Sequence, residues 1–194
     1  MRKDRRKIES LIEAGKRAGA HLLVVGEEGS GKTTHAKHLS REYGYKLLSE
    51  ILLLTKWQHR SLRYRILKSL NMPIGRDSLR GYYLIVDDGD KLTPHVWDTL
   101  KLISDFTGLG YIVFATNPKN LPAWLLLESI SYSLKGIASQ EDMDFFVQRV
   151  LGWDMPVQYE KSLYNPRRAK ALLLREFLKS MSGERRYVSA KAGA

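Results

Sequence analysis

Three unbroken runs of apolar residues stand out from the pattern of polar and apolar positions along the chain. They occupy residues 22–25, 82–86 and 111–115, and each ends in a polar turn. Runs of this kind are typical of parallel strands that are buried on both faces of a sheet. Apolar residues at helical spacing predict helices between the runs, at 32–43 and 56–70. Alternating strands and helices predict an α/β fold with a parallel sheet.

Two weaker apolar stretches are predicted to complete the sheet. Residues 45–54 predict a strand that runs into the start of a helix, and residues 130–134, where serine and tyrosine recur, predict an edge strand. Together with the three longer runs, they give an expected five-stranded parallel sheet flanked by helices.

The chain changes character near residue 138, where helical signals replace strand signals. Residues 139–142 resemble a capping box, and Asn165-Pro166 favours the start of a second helix at 167–181. The predicted buried face of that helix consists of Ala171, Leu172, Leu174 and Leu178. We therefore expect a basic N-terminal helix or tail at 1–19, an αβ core at 20–137, a small helical lid at 138–182 and a basic mobile tail at 183–194.

The first apolar run leads into Gly26–Thr33, which matches the phosphate-binding pattern G-x-x-x-x-G-K-[ST]. Glycines let the backbone N–H groups converge on phosphate oxygens, and the following helix directs its positive dipole end to the same anion. Lys32 would add a charge for the β- and γ-phosphates, and the Thr33 hydroxyl could ligate Mg²⁺. The alternative is an ordinary glycine-rich turn. The predicted nucleotide contacts are Gly26, Glu27, Glu28, Gly29, Ser30, Gly31, Lys32, Thr33 and Thr34.

Polar residues with possible catalytic roles follow the other two runs. Asp87 and Asp88 come after the second run, and Asn117 comes shortly after the third. In a P-loop protein the first acid after such a strand holds Mg²⁺ through water, and the next can orient or deprotonate the attacking water. The alternative for the two acids is a plain acidic turn. Asn117 could hydrogen-bond the γ-phosphate or the lytic water, or it could cap the turn before Pro118.

Basic residues exceed acidic ones by 32 to 21, which gives a net charge of +11 at pH 7. Nucleic acid is the usual partner of such an excess, and a generic basic surface is the alternative. The predicted helix 56–70 interleaves aromatic and basic residues, which suits phosphate contact combined with stacking. The alternative there is aromatic side chains in the core and solvated arginines. The candidate DNA contacts are Lys56, Arg60, Arg63, Arg65 and Lys68.

Several classes of protein are disfavoured by what the sequence lacks. Cysteine is absent, which excludes disulfides and thiolate metal ligands. No run reaches the roughly 18 apolar residues that indicate a transmembrane helix, and no apolar signal segment follows the basic N-terminus. We therefore expect a cytoplasmic protein with no membrane partner.

The phosphate loop, the Asp87-Asp88 pair, Asn117 and the module around Asn165-Pro166-Arg167-Arg168 together resemble the AAA+ superfamily of P-loop ATPases. The resemblance implies a P-loop fold of the ASCE type that uses ATP and Mg²⁺. It implies a Walker A pair, a Walker B pair and two sensors. The Walker A pair is Lys32 and Thr33, and the Walker B pair is Asp87 and Asp88. The first sensor is Asn117, and the second is Arg167, with Arg168 as its substitute. The implied catalytic residues are Lys32, Asp88, Asn117 and Arg167, and the implied metal ligands are Thr33 and Asp87.

A finer similarity covers residues 84–94 and 104–109. These segments are similar to ATPases that serve DNA transposons, such as Mu transposition protein B, and to their initiator-like relatives. The similarity implies a homo-oligomer that uses ATP to assemble on DNA in transposition, replication initiation, or helicase or clamp loading. It also implies a partner protein, which would be a recombinase, a helicase or an initiator.

Two departures from the AAA+ pattern imply slow hydrolysis. Asp88 is one methylene shorter than the usual glutamate, and a base must reach its water within hydrogen-bond distance. Residues 127–130 contain no arginine, although many AAA+ rings carry an arginine finger there that can contribute on the order of 10³ in rate. Either Lys135 or an arginine elsewhere acts in trans, or the protein is a poor ring ATPase. The alternative functions are a nucleotide-gated DNA-binding adaptor with negligible hydrolysis and a small-molecule P-loop kinase.

Overall fold

The computed structural model describes residues 2–54, 62–70, 79–137, 140–151, 157 and 165–181. The chain divides into two compact units, Met1–Gly136 and Ile137–Ala194. The first contains the sheet and the phosphate loop, and the second contains the C-terminal helices.

Over the part of the chain that the structure describes, the sheet of the first unit has four parallel strands in the order β2-β3-β1-β4. The strands are β1 (His21–Val25), β2 (Tyr83–Val86), β3 (Gly110–Ala115) and β4 (Ser129–Ser133). Each of the three apolar runs at 22–25, 82–86 and 111–115 therefore forms a strand, as predicted. The alternating fourth stretch forms β4 at the edge of this sheet, also as predicted.

The prediction of a fifth strand was wrong. Its residues contribute only an isolated parallel bridge between Leu47 and Ile85, with a hydrogen bond of 2.9 Å from the Ile85 N–H to the Lys46 carbonyl. The helix start predicted in the same stretch is confirmed, because α3 begins at Leu48. Leu48 and Ile51 of this helix are buried in the core, so the apolar side chains of the stretch are removed from solvent without a further strand in the sheet.

Helices cover both faces of the sheet. In chain order they are α1 (Arg2–Ala18), α2 (Lys32–Tyr43), α3 (Leu48–Leu54), α4 (Leu62–Ser69), α5 (Pro94–Thr107) and α6 (Ala123–Leu127). Short 3₁₀ turns at Gly89–Lys91 and Pro118–Asn120 follow β2 and β3. The predicted helix 32–43 is confirmed. The predicted helix 56–70 is described only over α4.

Successive side chains of the central strands enter two different apolar clusters, one on each face of the sheet. On β3, Tyr111 and Val113 pack in the cluster that includes α3, α4 and α5, whereas Ile112 and Phe114 pack in the cluster with α1 and α2. Because side chains alternate across a strand, a strand covered on both faces needs an unbroken apolar run. This packing explains the three runs of the sequence.

Helix α1 is an integral part of the first unit. Ile8 and Ile12 are fully buried against the sheet. The Asp4 carboxylate, near the N-terminus of the helix, accepts hydrogen bonds from the Tyr132 hydroxyl (2.6 Å) and the Lys135 N–H (3.2 Å). The basic N-terminal segment was expected to be a helix or a tail, and in the structure it is a helix.

The second unit contains α7 (Gln140–Phe145), which continues as a π-helical turn through Leu151, and α8 (Pro166–Met181). The Asn165 side chain accepts hydrogen bonds from the N–H groups of Arg167 (3.0 Å) and Arg168 (3.3 Å), as predicted for a helix cap. Ser139 of the predicted capping box and residues 183–194 lie outside the described residues.

The predicted buried face of α8 was wrong at three of its four positions. Ala171, Leu172 and Leu174 are exposed, whereas Ala169 is fully buried, and the side chain of Leu178 lies outside the described residues. Four consecutive apolar residues at 171–174 offer more than one helical stripe, so periodicity does not select the face that packs. None of the described helices combines the length and the apolar character needed to cross a membrane.

Candidate functional site

The phosphate loop joins β1 to α2 in a tightly turned conformation. The Gly26 N–H donates to the Ala115 carbonyl of β3 (3.1 Å), and the Ser30 N–H donates to the Glu27 carbonyl (3.1 Å). Gly29 and Gly31 have φ angles of 79° and 96°, in the left-handed region that favours glycine. The loop conformation therefore depends on the glycines at these two positions.

Gly26 is required for a different reason, which is space. A Cβ atom at this position would lie 2.5 Å from Ser30 Oγ and 3.1 Å from the Leu134 side chain. Ser30 is itself buried, and its hydroxyl oxygen has no hydrogen-bond partner within the described part of the chain. A buried hydroxyl without a partner fits a loop that receives polar ligand atoms, because burial without a hydrogen bond is unfavourable.

Lys32 folds back across the loop. Its ammonium group donates to the carbonyls of Gly26 and Glu27, both at 2.8 Å, and the side chain is 7% exposed. An ammonium group has three N–H donors, so two are satisfied by the loop and one is left for a phosphate oxygen. Burial lowers the pKa of Lys32, while the carboxylates of Asp88, Asp90 and Asp87 oppose this shift. The acidic turn after β2 therefore acts electrostatically on the phosphate-loop lysine.

Helix α2 begins directly at the loop, with Gly31 as its N-cap residue and no side-chain cap. The first N–H groups of a helix have no partner within the helix, and they carry the positive end of its dipole. Thr33 and Thr34 are exposed in this first turn, and Glu27 and Glu28 are exposed on the loop before it. The uncapped helix start, the loop glycines and Lys32 together suit an anion with several oxygens.

Asp87 and Asp88 follow the carboxyl end of β2. Asp87 Oδ1 accepts a hydrogen bond of 3.2 Å from the Asp88 N–H. Asp88 has a φ angle of 53°, and among the described residues other than glycine it alone has a positive φ. Its Oδ2 atom lies 3.0 Å from the Lys91 ammonium nitrogen. The acid implied to act as a base therefore has a strained backbone and an ion-pair partner.

Asp90 connects the turns that follow two neighbouring strands. Its Oδ1 accepts from the Thr116 N–H (3.2 Å), and its Oδ2 accepts from the Asn117 N–H (3.0 Å). Thr116 and Asn117 follow β3, whereas Asp90 follows β2. Sequence reasoning assigned no role to Asp90. The available signal was a third acid within four residues, separated from Asp87 and Asp88 by a glycine.

Asn117 caps the turn that contains Pro118, which is one of its two predicted roles. Its Oδ1 accepts a hydrogen bond of 3.1 Å from the Lys119 N–H, at the start of the 3₁₀ turn Pro118–Asn120. The residue is exposed. Because the oxygen is engaged in the cap, the amide nitrogen is the donor that Asn117 can offer to a phosphate or a water.

Three of the four implied catalytic residues, Lys32, Asp88 and Asn117, lie at one edge of the sheet. They follow the carboxyl ends of β1, β2 and β3, and β3 pairs with both of the others. This is the edge at which ligands bind in open parallel α/β sheets. The fourth, Arg167, lies in the first turn of α8 in the second unit, and its role stays a prediction.

The described residues contain no cluster of three or more metal-binding side chains. A Mg²⁺ site does not require such a cluster, because this ion keeps several waters and binds through one or two protein oxygens and the substrate phosphates. Thr33, exposed at the start of α2, and Asp87, half-buried after β2, offer oxygens of this kind. Their role as metal ligands stays a prediction.

The candidate DNA contacts are described in part. Arg63, Arg65 and Lys68 lie on α4, and Lys56 and Arg60 lie outside the described residues. Arg63 and Lys68 are exposed and Arg65 is half-buried. Ile66 and Leu67 are buried in the core, on the face of the helix opposite Arg65 and Lys68. Arg63 shares their face, three and four residues earlier, and is exposed near the start of the helix. The helix therefore presents basic side chains outward.

Arg63 already has an aromatic partner. Its guanidinium group lies 5.1 Å from the centre of the Phe106 ring, on α5. Phe106 is 44% exposed, and Tyr64, the next residue of α4, is 39% exposed. A guanidinium on an aromatic face is a favourable cation–π arrangement. The outer surface of α4 thus combines positive charge with exposed rings.

A cavity of about 560 Å³ lies at the opposite edge of the sheet, and no predicted site residue lines it. It is bordered by the end of α1, the start of β1 and the end of α5, with charged or titratable side chains from Lys16, Arg17, His21, Arg80, Asp105 and Glu128. His21 Nδ1 accepts from the Tyr111 N–H (3.1 Å), and burial lowers its pKa. This hydrogen bond links the His21 side chain at the start of β1 to the backbone of β3.

No protein-family model matches this chain, and no curated protein sequence is significantly similar to it. Solved structures do match. Three structures of variants of RuvB from Thermotoga maritima have TM-scores of 0.56 to 0.57 and 18 to 19% sequence identity to the chain. The matches cover 91 to 95% of this chain and 63 to 65% of the RuvB chains. The chain therefore shares the α/β fold of RuvB and spans slightly less than two thirds of its length.

Proposed function

We propose that this chain is an AAA+ ATPase that binds ATP and Mg²⁺ at the phosphate loop and hydrolyses ATP to drive assembly on DNA. The observation that carries the proposal is the convergence of Lys32, the Asp87-Asp88 pair and Asn117 on one edge of the sheet. The fold shared with RuvB supports it. The AAA+ resemblance of the motifs supplies the reaction class.

Binding is assigned to the loop and to the start of α2. The N–H groups of the loop and of the first helical turn hold the phosphates, and Lys32 uses its remaining N–H donor for the β- or γ-phosphate. Thr33 and Asp87 would hold Mg²⁺, which neutralises the charge that develops on the transferred phosphoryl group. Burial keeps Lys32 in one position, so little side-chain entropy is lost when ATP binds.

Hydrolysis is assigned to Asp88 and Asn117. Asp88 orients the attacking water and accepts its proton, and the Asn117 amide donates to the γ-phosphate or to the water. Arg167 and Arg168, on α8, are the candidates for a second contact with the γ-phosphate. The product of the reaction is ADP, which lacks the group that Asn117 and Arg167 would contact.

We propose that the copies of the chain assemble on DNA, because the net charge of +11 exceeds what binding a small anionic substrate requires. Arg63, Arg65 and Lys68 of α4 supply phosphate contacts. The similarity to transposon and initiator ATPases supports a nucleotide-dependent homo-oligomer. It would work with a recombinase, helicase or initiator in transposition, replication initiation, or helicase or clamp loading.

A second candidate is a nucleotide-gated DNA-binding adaptor with negligible hydrolysis. The ion pair between Asp88 and Lys91, 3.0 Å apart, favours it, because a carboxylate held by a lysine is less available to a water. In this version ATP stabilises the assembled form without being consumed. The two candidates share the site and differ in turnover.

The test compares wild type with Lys32→Ala, Asp88→Asn and the control Lys37→Ala, which removes an exposed lysine of α2. We expect Lys32→Ala to weaken ATP binding by about 10- to 100-fold, since a charge-assisted hydrogen bond to phosphate is lost. We expect Asp88→Asn to bind ATP and to lose turnover by about 10²-fold or more. Lys37→Ala should resemble wild type in both measurements.

The same proteins are assayed with and without duplex DNA at two salt concentrations, and their size is followed by gel filtration with and without nucleotide. An ATPase assembling on DNA should turn over faster with DNA at low salt and elute earlier with ATP. ATP-dependent assembly without turnover in any condition would favour the adaptor. A monomer in every state that ignores DNA would contradict both.

A further inference from the structure

We propose that Asp90 is a positioning residue, which fixes the Asn117 turn relative to the Asp87-Asp88 pair. The inference rests on the proposed function, since it concerns how that site distinguishes ATP from ADP. The AAA+ resemblance assigns no role to Asp90. Its place in the structure assigns one, because both of its carboxylate oxygens are engaged by the turn that carries Asn117.

The connection has two points of attachment. Oδ1 accepts from the Thr116 N–H at 3.2 Å, and Oδ2 accepts from the Asn117 N–H at 3.0 Å. Hydrogen bonds to an ionised carboxylate are stronger than those between neutral groups. Two acceptor oxygens on successive N–H groups fix both the distance and the orientation of the turn. An asparagine at position 90 would offer only one acceptor, and its amide N–H group would face the other N–H.

The turn that carries Asp90 is itself immobilised. A Cβ atom on Gly89 would lie 2.6 Å from Val113 Cγ1 and 3.2 Å from Trp97 Cζ2, so the backbone at Gly89 lies directly on β3 and α5. The N–H groups of Lys91 and Leu92 donate to the carbonyls of Asp88 and Gly89 at 3.0 and 3.1 Å. Asp90 therefore extends from a rigid base rather than from a free loop.

The consequence concerns Asn117. Its side-chain oxygen is fixed by the cap to Lys119, and its backbone N–H is fixed by Asp90. The position of its remaining amide donor thus depends on the Asp90 link. Because Asp88 precedes Asp90 in the same turn, the link also sets the distance between that donor and the proposed base. A misplacement of about 1 Å can cost on the order of 100-fold in rate.

The experiment compares wild type with Asp90→Asn, Asp90→Ala and the control Asp98→Asn, which removes an exposed carboxylate of α5. Dissociation constants are measured for ADP and for a non-hydrolysable ATP analogue, together with ATP turnover. We expect both Asp90 variants to bind ADP at least as tightly as wild type, because the loop and Lys32 are intact and the substitution removes only a negative charge close to the phosphate site. We expect Asp90→Ala to lose about tenfold or more in analogue-over-ADP preference and in turnover, and Asp90→Asn to lose less.

A second readout needs no nucleotide. Amide hydrogen exchange at Thr116 and Asn117 should accelerate in Asp90→Ala and stay unchanged in Asp98→Asn. Unchanged exchange at these two residues would overturn the link. An equal loss of ADP and analogue affinity with a lower melting temperature would overturn the positioning role, since that pattern indicates general destabilisation.

The failure of the proposed function would look different from the failure of this inference. If wild type binds the analogue but does not hydrolyse ATP, the analogue-over-ADP ratio still tests Asp90. A wild-type preference for the analogue that Asp90→Ala retains would overturn the inference alone. A wild type that binds neither nucleotide would overturn both.

Discussion

The ammonium nitrogen of Lys91 lies 3.0 Å from Oδ2 of Asp88, three residues earlier in the same turn. The hydrogen bond to Asp88 raises the pKa of Lys91, so the lysine stays charged at neutral pH. Both side chains are well exposed to solvent. The proposed base is therefore paired with a cation that can leave it, because an exposed ion pair is only weakly held.

Removal of that cation should increase hydrolysis. In Lys91→Ala the Asp88 carboxylate keeps its position and loses its partner, so we expect ATP turnover to rise a few-fold with little change in ATP affinity. The difference from wild type should shrink at high salt, which screens exposed pairs. Steady-state turnover at two ionic strengths measures both effects.

Lys119→Ala is the matched control, since it removes an exposed lysine from the neighbouring 3₁₀ turn whose backbone alone contacts Asn117. It should turn over ATP at the wild-type rate. Lower turnover in Lys91→Ala would contradict the prediction and would indicate that Lys91 itself contacts the nucleotide.

Acid should destabilise the first unit through His35 of α2. Burial lowers the pKa of His35 to about 4, while the nearby Asp4 carboxylate opposes the shift. As the pH falls, the His35 imidazole takes up a proton near pH 6.5 in the unfolded chain and only near pH 4 in the folded chain. The contribution of His35 to stability is therefore complete above about pH 6.5 and falls by about 3 kcal/mol as the pH drops to 4.

The measurement is urea unfolding at pH 7 and pH 4.5 for wild type and His35→Gln. Other groups also destabilise the protein in acid, so the quantity of interest is the difference between the two proteins. His35→Gln should lose less stability than wild type between the two pH values. His95→Gln removes an exposed histidine and should lose as much as wild type. Equal losses in all three proteins would contradict the assignment to His35.

Gly89→Ala should destabilise the chain through a clash with β3. Its methyl group would lie 2.6 Å from Val113 Cγ1. Overpacking of this kind costs about 1–3 kcal/mol. Because Val113→Ala removes the clashing atom, the double variant should be more stable than the sum of the two single effects predicts. Chemical denaturation of the four proteins tests this, and strictly additive effects would show that the two positions do not touch.

The basic face of α4 can be tested by charge removal. Arg63→Gln and Lys68→Gln should each weaken binding to duplex DNA and reduce the slope of log Kd against log salt by about one, as expected for the loss of one phosphate contact. Lys37→Gln removes the same charge from the exposed face of α2 and should leave the slope nearer to the wild-type value. Equal changes in all three variants would indicate binding by net charge alone, without a defined surface on α4.

The elements around the phosphate loop could be predicted because their signals are local. Residues 83–86 and 111–115 form strands because each of these apolar side chains meets a covered face, and Gly26–Thr33 forms its loop because the required glycines lie within a few residues of one another. The pairing of Asp88 with Lys91 is also local, three residues apart. It was not predicted, because a sequence does not show whether two exposed, oppositely charged side chains form an ion pair.

Other features depended on packing that no local pattern encodes. The stretch 45–54 has the apolar content of a strand, yet the sheet needs only one bridge from it and the core accepts the rest as α3. Residues 171–174 are apolar all round, so only the tertiary contacts decide that Ala169 is buried and Leu172 is exposed.

By itself, the sequence determined the fold class, the phosphate loop and the residues that end each strand, since these follow from periodicity and from chemistry within a few residues. The tertiary structure decided the link from Asp90 to Thr116 and Asn117. Thr116 and Asn117 lie 26 and 27 positions after Asp90 in the sequence. The link forms only because β2 and β3 are neighbours in the sheet, so that the turns after these strands lie at the same edge.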